Sequence, residues 1–317
     1  MSQIDIPRGR EKKRGSTGKR RQGKIMFLMI VPFLIINFLF AYFPLHGWIY
    51  ALYDYRAPLQ LSQCEFVGFK WFAILFSNPT QLAQLGQVMM NTFAMSLLGI
   101  ATSILPLIFA ILLSEIQSKW FRKTVQTLTT LPNFISWVLV YSVAFSLFSN
   151  TGMVNSALQQ LGLISQPLKF LDSDSHTWLA MLLWSTWKGL GWNAIMYLAA
   201  ITGIDPGLYE AAKIDGAGRF RLMYHITLPA LLPTFFVLLM LSIANFLNNG
   251  MDQYYVFQNA FNKTHIQVLD LYVYNIGLTG GSFSLATAIG MLKSLVSIVL
   301  LTIVNAASKK IRGESII

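Results

Sequence analysis

The residues best equipped for chemistry are polar groups set in otherwise apolar company. Ser185-Thr186-Trp187-Lys188-Gly189-Leu190-Gly191-Trp192-Asn193 interrupts one apolar run, and Ser242, Asn245, Phe246, Asn248 and Asn249 close another. On a helix Ser185 and Lys188 share a face, as do Lys188 and Trp192, while Ser242, Asn245 and Asn249 form one stripe. Indole rings stack on the apolar faces of a sugar, and hydroxyl and amide groups exchange hydrogen bonds with its hydroxyls. Two such stripes would make a cavity wall suited to a saccharide. At membrane depth polar groups are expensive, so these residues are candidates for a passage or a binding site.

Reaction chemistry is not indicated. There is no G-x-x-x-x-G-K-[ST] loop, so ATP hydrolysis by P-loop chemistry is not expected, and neither H-E-x-x-H nor G-x-S-x-G occurs. His46, His176, His225 and His265 lie one per region, which disfavours a shared metal site. Cys64 is the only cysteine, which excludes an internal disulfide and a cysteine-based cluster. Glu115, Asp205 and Glu210 sit at the ends of apolar runs or in loops rather than inside them. A stand-alone membrane channel or enzyme would call for paired intramembrane carboxylates or histidines, so it stays a distant alternative.

The elements that must position the polar stripes are membrane helices. Of 317 residues 54% are hydrophobic and 12% charged, against about 25% charged in soluble domains. A bilayer is crossed by about 20 apolar residues. Six runs qualify: Ile25–Tyr50, Gly86–Leu113, Leu131–Phe148, Thr177–Thr202, Ala230–Leu247 and Ala286–Ala307. Lys and Arg concentrate in the first 24 residues, between the second and third runs, between the fourth and fifth, and at the end. That bias places both termini inside, giving an all-α integral membrane fold with N-in, C-in topology. Residues 1–24 form a basic tail expected to lie against anionic lipid, not to bind nucleic acid, and residues 25–312 form the membrane domain. Lys293 stands alone in the sixth run and is expected to snorkel. Phe66–Pro79 is expected to hold a short interfacial helix that ends near Asn78-Pro79.

Between the fourth and fifth runs lies a hydrophilic island, residues 204–229. Leu208 to Ile214 are good helix formers, and Gly216 and Gly218 stop them. A second short helix from Arg219 is expected to end before Pro229, which would open the next apolar helix. Small alanines behind one carboxylate make a thin ridge suited to a partner's groove.

Glu210-Ala211-Ala212, Asp215-Gly216-Ala217, Phe220, Ile226 and Leu228-Pro229 stand at the spacing of the EAA loop. On these residues the chain resembles the permease subunits of binding-protein-dependent ABC importers over roughly Ile25 to Arg312. The resemblance implies the type I importer permease fold and a multi-pass place in a bacterial cytoplasmic membrane. It also implies a second, homologous permease subunit, two ATPase subunits that bind the ATP and Mg (no cofactor in this chain), and an extracellular or periplasmic binding protein. Glu210, Ala211, Ala212, Asp215 and Gly216 would then couple to the ATPase. Tyr42-Phe43-Pro44-Leu45 through Tyr55-Arg56 resembles the start of the LplB-like branch, associated with complex oligosaccharides; a proline kink would explain the same residues. Ser185, Lys188, Gly189, Trp192, Ser242, Asn245, Phe246 and Asn249 match the sugar contacts of the maltose-type permease. Lys188 departs from that pattern, where an apolar residue stands. It either faces an acidic, uronate-containing saccharide or pairs structurally. A non-sugar solute is the alternative cargo.

Overall fold

The computed structural model describes residues 16–312, with side chains over 23–310. Most of the basic tail expected at 1–24 therefore lies outside the described residues or their described side chains. The described chain is helical, and its only extended pairing is a single antiparallel bridge between Tyr53 and Phe66.

Two units are distinct, residues 1–50 and 51–317. The first carries α1 (Ser16–Asn37), which continues through a π turn (Phe38–Tyr42) into a 3₁₀ segment (Phe43–Leu52). The Phe43 N–H reaches back to the Phe38 carbonyl just before Pro44, which has no N–H to offer. Side chains from Ile25 to Phe40 are largely exposed, as an apolar helix against lipid requires.

The second unit's first α-helix is α2 (Lys70–Ser77), a short helix where one was expected before Pro79. Asn78 then caps α3 (Pro79–Thr102), its side chain accepting from the N–H groups of Thr80 (3.0 Å) and Gln81 (3.4 Å). Pro79 occupies the first helical turn, where a missing N–H costs nothing. After α4 (Ile104–Ser114) and α5 (Lys119–Thr130) a 3₁₀ turn carries Leu131–Phe134. Next come α6 (Trp137–Phe148), α7 (Met153–Gln160) and the long α8 (Thr177–Thr202). The island holds α9 (Pro206–Ile214) and α10 (Arg219–Leu222), and α11 (Leu228–Ala244) follows. Three short helices, α12 (Asp252–Phe257), α13 (Lys263–Ile266) and α14 (Leu269–Tyr274), precede the terminal α15 (Phe283–Arg312).

Among the described residues five runs are long and apolar enough to cross a membrane: Gly23–Leu52, Pro79–Ser114, Trp137–Gln160, Arg219–Ala244 and Phe283–Lys310. The fourth expected span, α8, has 26 residues and is about 39 Å long, enough to cross, but its polar run makes it too hydrophilic to join them. Three boundaries differ from expectation. The second run breaks at Ser103 between α3 and α4. The third helix starts at Trp137 rather than Leu131, because Pro132 holds a 3₁₀ turn and Ser136 caps the new helix. The fifth runs without a break from Arg219, since a π turn at Met223–Thr227 absorbs the clash Pro229 would otherwise cause one turn earlier.

Three apolar clusters hold this unit. One joins α3, α6, α8, α12 and α14 through Met95, Val140, Met181, Phe257 and Leu271. A second joins α2, α3, α14 and α15 through Leu75, Val88, Tyr272 and Ile289. The third joins α4, α8 and α11 through Leu107, Ala194, Tyr197 and Leu231.

Segment 248–285 thus contributes to the core. Asn91, fully buried on α3, fixes it: its amide donates to the carbonyls of Thr264 (2.8 Å) and Gln267 (3.0 Å). The Asn91 carbonyl oxygen accepts from Gln87 and from the Trp178 indole, so every strong valence is used. Thr92 adds an acceptor for the Leu269 N–H at 2.9 Å.

Candidate functional site

A cavity of about 510 Å³ opens between α8, α11 and the α3–α4 break. Its wall includes Ser185, Thr186, Trp192 and Asn193 from α8, Ser242 and Asn245 from α11, and Thr102 and Ser103 at the break. The Ser185 and Ser242 hydroxyls donate to carbonyls of their own helices, at 3.0 Å each. Their lone pairs remain as acceptors for a ligand's hydroxyls. Asn245 ends α11 and donates to the Leu241 carbonyl at 2.9 Å. Trp192 stays half exposed, its ring meeting Phe134 edge-on at 5.6 Å. The result is a rigid indole with hydroxyl and amide groups around it, able to hold a polyhydroxylated ring.

Four sequence-nominated residues stand behind this wall. Gly189 leaves room for the Asn193 amide, which a β-carbon would approach to 3.2 Å. Phe246 packs on Phe93, with ring centroids 5.4 Å apart. Asn249 donates to the Ser96 hydroxyl at 3.0 Å, and that hydroxyl donates to the Phe246 carbonyl. Lys188 is 8% exposed, and its ammonium donates to the carbonyls of Pro132 (3.1 Å) and Asn133 (2.8 Å) while lying 5.4 Å from the Trp137 ring. Lys188 and Trp192 do share a side, as helical spacing requires, but it is the side that meets the 131–137 turn. Thr186 and Asn193 were not among the nominated sugar contacts, and the Thr102-Ser103 break was not foreseen. The first two stood inside the polar run, and the break gave no signal within its apolar stretch.

Lys293 does not snorkel. It forms an ion pair with Asp270, whose other oxygen accepts the Gly250 N–H at 2.9 Å. The pair fastens α14 and α15 to the backbone just beyond α11.

The island after α8 is built by local rules. Asp205 caps α9, accepting the Gly207 N–H at 2.9 Å. At the other end Gly216 has φ +77°, with Gly216 N–H to Lys213 O (3.1 Å) and Ala217 N–H to Ala212 O (2.9 Å). That is a Schellman stop, and only glycine takes the left-handed position without strain. Glu210, Ala211 and Asp215 are exposed and Ala212 half-buried, and among the described residues neither carboxylate has an ion-pair partner. Ile214 and Phe220 are more than four-fifths exposed, an apolar pair flanking the turn. Tyr209 ties α9 back to the membrane helix: its hydroxyl lies 2.9 Å from that of buried Thr227. Tyr209→Phe is expected to lose about 1 kcal/mol there, raising amide exchange across 206–217 about fivefold. Unchanged exchange would show that the bond carries no weight.

A membrane-embedded helical subunit with a polar cavity and an exposed, glycine-stopped helix between two of its spans is a transport component by architecture. The chain belongs to the family of binding-protein-dependent transport system inner membrane components, whose model matches residues 102–313. It is 39% identical over 309 residues to the polygalacturonan/rhamnogalacturonan transport system permease protein YteP of Bacillus subtilis, covering 97% of this chain and 94% of that one. Protein LplB of the same organism is 37% identical over 298 residues, covering 93% and 92%. The fold is similar to that in a solved bacterial alginate ABC transporter in complex with an alginate pentasaccharide-bound periplasmic protein, with a TM-score of 0.81, 30% identity and coverage of 94% and 98%.

Proposed function

We propose that this chain passes an oligosaccharide, and an acidic one, across the cytoplasmic membrane as the permease subunit of an ABC importer. The observation that carries the reading is the 510 Å³ cavity between α8 and α11, the two helices that flank the exposed α9 turn. Motion imposed on α9 reaches α11 directly through Tyr209 and Thr227. An external binding protein delivers the saccharide and a second permease chain completes the path. Two ATPase subunits bind ATP and Mg, and this chain catalyses no reaction and holds no cofactor. Glu210 and Asp215 supply charged contacts to the ATPase, Ala211 and Ala212 the close-packing ridge, and Gly216 the turn.

The acidic preference draws on two supports. One relative, YteP, is named for transport of polygalacturonan/rhamnogalacturonan, and the structural neighbour is a transporter involved in the import of alginate. In this chain Lys188 is a buried cation held by two backbone carbonyls and lying over an indole ring. It does not touch the cavity, so it acts through its field rather than by contact. A carboxylate about 8 Å away would gain roughly 2 kcal/mol at an effective dielectric near 20.

Uptake by the reconstituted importer tests this with matched acidic and neutral oligosaccharides. Lys188→Met should lower transport of the acidic ligand about 30-fold relative to the neutral one, and Lys188→Arg should keep most of the preference. Trp192→Ala should lower uptake of both about tenfold by removing the stacking surface. Equal loss of both ligands in Lys188→Met would sink the acidic assignment. Undiminished uptake in Trp192→Ala would remove the cavity from the path.

A further inference from the structure

Four cations from two distant loops converge on one hollow beside the α9 turn. Lys119 and Arg122 come from the start of α5, and Lys213 and Arg219 flank the Gly216 turn. With Tyr209 and a single carboxylate, Glu115, they line a cavity of about 420 Å³. Lys119, Lys213 and Arg219 are exposed and Arg122 is half-buried, and none of the four makes an ion pair among the described residues.

The inside bias of Lys and Arg explains why these loops are basic, not why they meet. Lys123 and Arg221 belong to the same two loops yet lie outside the hollow. Four cations facing one carboxylate leave a net positive field in the hollow, which favours an anion there. Guanidinium groups bind phosphate oxygens in pairs, and ammonium groups add point charges. The hollow suits one phosphate with a small polar group attached.

We propose that this cavity binds a phosphoester, either the head group of an inner-leaflet phospholipid or a soluble phosphomonoester. The bound anion bridges α5 and the turn after α9, and so stiffens the segment through which Tyr209 reaches Thr227. The binding site stands on the geometry alone. Its influence on coupling rests on the reading of α9 as the ATPase-docking element.

The assembled importer in nanodiscs of phosphatidylcholine, with or without phosphatidylglycerol, provides the test. Retained phosphatidylglycerol is measured by native mass spectrometry, glycerol 3-phosphate is titrated into the neutral discs, and amide exchange is followed over residues 206–217. One of the two probes should bind and slow that exchange. Arg122→Gln with Arg219→Gln should weaken binding at least tenfold, while Lys123→Gln with Arg221→Gln, an equal loss of charge outside the hollow, should not. Arg122→Lys with Arg219→Lys should retain part of the affinity, which guards against a folding defect in the glutamine pair. Binding of phosphatidylglycerol alone identifies the lipid as source, and binding of glycerol 3-phosphate identifies a soluble ester. The proposal is overturned if neither probe binds, if the Arg122 and Arg219 pair binds as tightly as wild type, or if both glutamine pairs weaken binding equally. No saccharide or ATP is present, so failure of the oligosaccharide reading would show separately, in uptake.

Discussion

Gly191→Ala is expected to destabilise the chain by about 3 kcal/mol, the upper part of the usual range for overpacking. A β-carbon at Gly191 would lie 2.4 Å from both the carbonyl carbon and oxygen of Thr129 and 2.6 Å from the Thr130 nitrogen. Those are backbone atoms at the end of α5, so no side chain can swing aside. The glycine is needed here for close approach; it sits inside α8 with ordinary helical geometry. Separating α8 from α5 would also pull on the two carbonyl bonds of Lys188, three residues before Gly191, and on Phe134 against the adjacent Trp192. Loss of uptake should therefore accompany the lower Tm of the purified chain. Gly189→Ala is the control, because its β-carbon would meet only the Asn193 amide at 3.2 Å. Alanine also favours helix over glycine by about 1 kcal/mol, so that variant should be close to neutral. Similar Tm values for the two variants would refute the assigned contact.

What the sequence disclosed follows from which interactions are local. The α9 turn was readable because capping and glycine conformation are decided within a few residues, and Asp205, Gly216 and Ala217 behave as those rules demand. The apolar runs were readable because the bilayer sets their length. Helical spacing also found Ser185, Trp192, Ser242 and Asn245, which the fold gathers around one cavity. Spacing names a shared side but not its neighbour, and so it could not foresee that Lys188 would meet Pro132 and Asn133. The anchors of segment 248–285 were invisible for the same reason. Asn91 bonds to residues more than 170 positions away, and nothing near Asn91 announces them. The π turn before Pro229 likewise trades a predicted break for a continuous helix, a choice made by packing rather than by the proline alone.

Lys293 is the case where tertiary pairing overrides the local expectation, and breaking its pair should have the second large effect. Its side chain is 15% exposed and that of Asp270 21%, so removing one partner strands a charge in a region of poor solvation. Lys293→Met and Asp270→Asn should each cost about 3 kcal/mol. The double variant should recover most of that loss, since no unpaired charge remains and asparagine still accepts the Gly250 N–H. Thermal unfolding of the four members of this cycle measures the coupling. Function separates the two ends of the pair further. Asp270 holds Gly250, next to Asn249 on Ser96 and one turn beyond the cavity residue Asn245. If the pair positions the outer end of α11, the double variant will recover stability while its KM for uptake stays raised, because the bond to Gly250 is then neutral and weaker. If the pair only staples α14 to α15, stability and KM will recover together. Additive losses in the cycle would show that the two charges do not interact at all, and Lys293 would return to the membrane surface where its isolation in the sequence had placed it.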